Sequence, residues 1–181
     1  MKLIVIALMS LSTAYAGPST DASSTQHQTK PLATLTDAQI AAIVKTANKG
    51  EIDAGEHAKE HASNAKVKKF ANMMVTHHTK ANEAEDKLLS KLKVTPENSM
   101  ANDDLQTTAK TEMDKMTPLT GLDYDKAYMG SQVRIHQDVL TSLDDTLIPN
   151  AKNGKLKSML EKTRQKVSQH LKEAKRIQAT L

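Results

Sequence analysis

The sequence predicts an all-α protein built around four long amphipathic helices, and three observations carry the prediction. Apolar residues recur at alternating spacings of four and three along four separate stretches, the period of a single buried helix face. One Phe, three Tyr and no Trp are too few aromatic side chains for an ordinary sheet or sandwich, whereas the good helix formers Ala, Leu, Lys, Gln, Glu and Met are abundant. Capping and helix-breaking signals stand between the periodic stretches.

The first sixteen residues read as a cleavable signal peptide. Lys2 supplies the positive start, Leu3 to Leu11 the apolar stretch and Ala14-Tyr15-Ala16 the small-x-small cleavage pattern. The stretch is shorter than the roughly 20 residues that span a bilayer, and no other segment comes close. The expected product is exported across the inner membrane, with the periplasm as its compartment and no transmembrane span. There is no cysteine, so neither a lipid-modified cysteine nor a disulfide enters the reading.

Residues 17–34 are rich in Ser, Thr and Gln with little apolar content, and read as a flexible N-terminal arm. The bundle is expected over residues 35–181. Its first helix opens at Thr36 with Gln39 three positions on, a capping-box pattern. Ile40, Val44, Ala47, Glu51, Ala54 and Ala58 form its stripe, and it should end near Ala62. Ser63-Asn64 caps a second helix over about 65–92, striped by Val67, Ala71, Met74, His78, Ala81, Glu85, Leu88 and Leu92. A turn this short makes the two an antiparallel hairpin.

Val94 to Asn102, with Pro96, breaks the pattern, and a shorter helix of about 103–116 ends before Pro118 and Gly121. The next long helix is expected over about 122–147, with Met129, Val133, His136, Leu140, Leu143 and Leu147 inward and Pro149 as its stop. The last carries Leu156, Leu160, Thr163, Val167, His170, Ala174 and Ile177. Two hairpins joined by a long crossover carrying a short extra helix give the ferritin-like form of the four-helix bundle.

Each long helix has a titratable residue in the middle of its core stripe: Glu51, His78, His136 and His170. Measured from the turns at 1.5 Å per residue, Glu51 and His78 differ in depth by ~3 Å and His136 and His170 by ~5 Å, so one layer accommodates all four. Buried carboxylates and imidazoles need partners. One divalent transition-metal ion satisfies them, because three neutral His nitrogens and a carboxylate match the ligand preferences of Zn²⁺, Fe²⁺, Mn²⁺ or Cu²⁺. Tyr128 and Asp138 are candidate outer partners. The competing reading is a metal-free buried network of these groups.

Other features carry less. His57 and His61 stand at i, i+4 without a third ligand and read as solvated, His77 beside His78 is ambiguous, and the methionines at helical spacing read as core filler. A net charge of +4, spread among acidic residues and without aromatic neighbours, excludes an obvious nucleic-acid surface. No nucleophile motif or Gly-rich phosphate loop is present, so no catalytic residue is assigned.

From the first helix to the last, the chain resembles the bacterial secreted family known as DUF4142, a domain of unknown function with a ferritin-like fold. The resemblance rests on Gly50-Glu51-Ile52-Asp53-Ala54-Gly55, on Val67-Lys68-Lys69-Phe70-Ala71 running into Met74-Val75-Thr76-His77-His78-Thr79-Lys80-Ala81, and on Gly121 with Tyr124-Asp125-Lys126-Ala127-Tyr128-Met129 leading to His136. The family pattern has an Asp just before the second helix's histidine, and His77 stands there. The resemblance implies the fold and an envelope location, and no activity. Di-iron members of the ferritin-like class carry Glu-x-x-His pairs, but Val75, Val133 and Val167 stand three residues before the core histidines. A standard di-iron centre is thus disfavoured.

The sequence therefore leads to an exported helical bundle that binds one transition metal through Glu51, His78, His136 and His170, with a role in envelope stress or metal handling. The alternative is a non-catalytic envelope interaction or structural module with a metal-free polar seam and an unidentified envelope partner.

Overall fold

A computed structural model describes residues 34–181; the expected signal peptide and almost all of the expected arm lie outside the described residues. The chain runs through α1 (Asp37–His61), α2 (Ala65–Leu92), α3 (Met100–Met116), α4 (Gly121–Ser142), a π-helical turn (Leu143–Leu147), α5 (Ile148–Asn150) and α6 (Gly154–Gln178). No strand occurs among the described residues. None of the helices there is long and apolar enough to cross a membrane.

Local chemistry sets the helix ends. At the start of α1, Gln39 N–H donates to Thr36 Oγ1 and Thr36 N–H to Gln39 Oε1, both at 3.1 Å, completing the capping box. Asn64 and Asn153 cap α2 and α6 by accepting backbone N–H bonds. Helix α3 begins three residues before the expected 103, because Ser99 accepts from Asn102 N–H and acts as its cap. The expected single helix of 122–147 also differs. It widens at Leu143–Leu147 into a π-helical turn and continues to Asn150. Pro149 lacks an N–H and its ring crowds the carbonyl four residues back; just before it, Ile148 N–H reaches Leu143 O, five residues back.

Helices α1 and α2 pack as one hairpin and α4 and α6 as the other, while α3, on the crossover, lies against α1 and more lightly against α4. This is the ferritin-like connectivity. Close approach within the first hairpin depends on Gly55: a Cβ there would stand 2.8 Å from Val75 Cγ2 and 3.1 Å from Ala71 O. A carboxylate fastens each end of the bundle. Asp125, buried on α4, accepts from the N–H groups of Ser63 at 3.0 Å and Asn64 at 2.9 Å in the α1–α2 turn. Asp37 accepts from Lys152 N–H at 2.8 Å and Asn153 N–H at 3.0 Å before α6.

The apolar core falls into two clusters. One, towards the α1–α2 turn, gathers Phe70, Met74, Tyr124, Tyr128, Met129 and Ile177. The other, towards the α5–α6 turn, gathers Ile40, Val44, Leu143, Leu156, Leu160 and Val167. On α1, α4 and α6 the chain passes from one cluster to the other through Glu51, His136 and His170 respectively, and on α2 His78 follows the last residue of the first cluster. The middle of the bundle is therefore a polar layer between two apolar ones.

Candidate metal centre

The heptad-like stripe that buries α2, α4 and α6 also carries their histidines inward, so His78, His136 and His170 are all buried. One ring nitrogen from each lies within 4.8 Å of those from the other two, the only group of three or more potential metal-ligating side chains so placed among the described residues. Ring centroids are 5.4 Å apart for His78–His170 and for His136–His170, and 6.3 Å for His78–His136.

The second nitrogen of each ring has a partner. His78 Nδ1–H donates to Asn48 Oδ1 at 2.8 Å, and His136 Nδ1–H donates to the Gln132 backbone carbonyl at 2.9 Å. His170 Nε2 stands 2.9 Å from His77 Nδ1. Of the two tautomers that make this last bond, the one in which His170 Nε2–H donates leaves no buried N–H orphaned, the rarer and costlier deficiency. Each imidazole is then oriented by its N–H and turns a lone pair away from that partner: Nε2 of His78 and His136, and Nδ1 of His170. His78 Nε2 and His170 Nδ1 are buried without any hydrogen-bond partner.

Burial keeps the lone pairs of His78 and His170 free of protons at neutral pH. Burial pushes His78 down to about 4, opposed in part by Glu51 and reinforced by His136 and His77. Burial pushes His170 down to about 3, helped by the neighbouring histidines and Lys166. Burial and then Lys166 also hold His77 below its ordinary value.

Glu51, expected beside the histidines, is buried in the same layer but is not in their group. Gln132 intervenes, donating from Nε2 to Glu51 Oε2 at 2.9 Å while its backbone carbonyl holds His136. Since a carboxylate only accepts, this bond fixes the amide's orientation and leaves Gln132 Oε1 buried and unpartnered. Tyr128 does not act as an outer partner: its hydroxyl is buried without a hydrogen bond, and burial raises it well above its ordinary range. Asp138 is exposed. The orienting residues are instead Asn48, Gln132 and His77. Gln132 sits four residues before His136 and Asn48 three before Glu51, each about one helical turn away on the same helix, but a polar side chain at such a position has many uses, and periodicity alone does not single it out.

His57 and His61 form a separate pair near the α1–α2 turn, stacked with ring centroids 3.9 Å apart. His57 Nδ1 lies 2.7 Å from the Tyr124 hydroxyl, and His61 Nδ1–H donates to the His57 carbonyl at 2.9 Å. These bonds give the pair a structural use.

Fold and site together define a class: an all-α bundle with a buried three-histidine cluster in its central polar layer. The chain belongs to the family described as Domain of unknown function (DUF4142), whose model matches residues 22–177. No curated protein and no solved structure matches it.

Proposed function

We propose that this protein is an exported metal-binding bundle that holds one divalent transition-metal ion through His78, His136 and His170. The observation that carries the reading is the set of three converging imidazoles. Their outward nitrogens are engaged, and two of the inward nitrogens, His78 Nε2 and His170 Nδ1, are buried without a donor. Two unpartnered buried acceptors are costly. A cation that accepts neutral imidazole satisfies them.

Three neutral nitrogen ligands, each with its other N–H bonded, form a donor set suited to Zn²⁺ or Cu²⁺ and poorly suited to Mg²⁺ or Ca²⁺. Glu51 supplies the anionic charge in the same layer. Such a protein would serve metal handling or envelope stress. Export rests on the first sixteen residues, and the exported protein should begin at Gly17 on N-terminal sequencing.

The direct experiment is metal analysis of protein purified without chelator, alongside His136→Ala. Wild type should carry close to one equivalent of Zn²⁺ or Cu²⁺, and the variant much less. Metal bound only to the folded state adds about 2.7 kcal/mol at a hundred times its dissociation constant, so a chelator should lower the melting temperature of wild type alone. A wild-type protein with no stoichiometric metal, and a melting curve indifferent to both metal and chelator, would leave the polar layer as a metal-free seam.

A further inference from the structure

A hollow of about 610 Å³ enters the bundle between α1 and α3 and reaches the side chains of α4 and α6. Its walls are largely apolar, among them Val44, Ala47, Leu105, Met113, Ile135 and Val139. Crossover helix α3 forms its roof: of seventeen residues in α3, only Asn102 and Met116 are buried, so the helix covers the bundle without filling it. Interiors are packed with few voids larger than a water molecule, and this volume lies in the range of small-molecule pockets.

The hollow reaches one side of the histidine cluster. His78 and His136 line it together with Glu51, whereas His170 does not, its Nε2 being turned to His77 instead. The three inward nitrogens are also unequally enclosed. His78 Nε2 and His170 Nδ1 are closed off from solvent. His136 Nε2 likewise has no hydrogen-bond partner but is not closed off, and the same holds for Glu51 Oε1, the oxygen that Gln132 does not hold. The accessible edge of the cluster is therefore the one that faces the hollow.

An ion held for structure alone is usually closed in by four protein ligands, whereas an ion that acts on another molecule has three and leaves the fourth position to water or substrate. Among the described residues the group contains three ligand-type side chains, and Glu51 stands outside it, bonded to Gln132. On the metal-binding reading proposed above, we infer that the ion keeps one coordination position open to this hollow, for a small molecule that gives it a lone pair and lays an apolar body along the walls. Such a centre is of the working kind, and the hollow is the binding site of what it works on.

The test uses protein loaded with Co²⁺, which takes the same nitrogen ligands as Zn²⁺ and absorbs in the visible through bands that change when a further ligand joins it. Imidazole and 1-butylimidazole are titrated in. Both should shift the bands saturably, one ligand per ion, and the butyl compound should bind at least about tenfold more tightly, because its chain is buried against the apolar walls. Ala47→Trp, which fills the hollow from α1, should bind Co²⁺ as wild type does and lose that preference; Leu105→Trp serves from α3 if the first variant misfolds. Failure of Co²⁺ to bind at all would overturn the metal reading and this inference with it. Bound Co²⁺ whose spectrum ignores both ligands, as when Glu51 swings onto the ion, would overturn the open position alone. Equal affinity for the two imidazoles, removal of the ion by them in place of a joint complex, or an undiminished butyl preference in a folded filled variant would do the same.

Discussion

His77 Nδ1 and His170 Nε2 stand 2.9 Å apart, with the two rings stacked at a centroid distance of 5.1 Å and 17° between their planes. A half-buried histidine of α2 thus sets the tautomer of a buried histidine of α6, while its immediate neighbour His78 turns inward as a member of the same cluster. Adjacent residues on a helix are about 100° apart around the axis, which lets one dipeptide supply both a cluster member and the partner of another.

Replacing His77 by Ala should leave the bundle folded and weaken Zn²⁺ binding by about 10- to 100-fold, the usual effect of removing an outer hydrogen-bond partner. A competition titration against a chromophoric chelator measures it, and His77→Gln, which keeps an acceptor, should recover part of the loss. Unchanged affinity in His77→Ala would show that His170 orients itself.

Two glycines of α1 should respond in opposite ways to alanine. At Gly55 the new methyl meets Val75 Cγ2 at 2.8 Å and the Ala71 carbonyl at 3.1 Å. Overpacking of about 1–3 kcal/mol should there outweigh the gain of about 1 kcal/mol in helix propensity. At Gly50 the nearest atom is Ala109 Cβ at 3.5 Å, an ordinary contact, so Gly50→Ala should stabilise by about 0.5–1 kcal/mol. Urea denaturation of the pair provides the comparison, and stabilisation by Gly55→Ala would mean that α1 and α2 separate easily.

Glu85 lies 1% exposed on the core stripe of α2, with neither carboxyl oxygen hydrogen-bonded. Burial raises its pKa from 4.5 to about 8, against the pull of Lys45. Between those values the folded chain holds a proton that the unfolded chain has released. Its contribution is therefore fully present below pH 4.5 and is lost as the pH rises towards 8, at up to about 1.4 kcal/mol per pH unit. Denaturant midpoints of wild type and Glu85→Gln across pH 5 to 8 should diverge with that sign, the wild type losing stability relative to the variant. Parallel pH profiles would place the ionised carboxylate in a solvated setting.

Asp125 accepts the backbone N–H groups of Ser63 and Asn64 from the opposite hairpin. Asp125→Ala leaves both donors without their partner and should cost about 2–4 kcal/mol, since hydrogen bonds to a charged group contribute about 1.5–3 kcal/mol each and solvent recovers part. Asp37→Ala, whose bonds to Lys152 and Asn153 are more exposed, should cost less. Thermal melts of the two variants decide the order.

Much of this was legible in the sequence. The α2 boundaries, the Thr36 capping box, the inward faces of the four long helices and the burial of Glu51, His78, His136 and His170 follow from periodicity and caps, because a helix turns by a fixed angle and a stripe points wherever its neighbours point. The errors lie where local signals compete. Ser99 outweighed the breaking effect of Pro96 and started α3 early, and Pro149 was absorbed by a π-helical turn where a stop was expected.

By itself, the sequence determined the fold class and the one polar layer of the bundle, since both depend on spacing along single helices. Only the tertiary structure decided which members of that layer meet. Rotations of about 20° or shifts of an ångström between helices, which no stripe specifies, bring three imidazoles within 4.8 Å and leave Glu51 bonded to Gln132. The same is true of His77, Asn48 and the hollow beneath α3: each depends on the distance between helices, and that distance is set by the packing of every side chain between them.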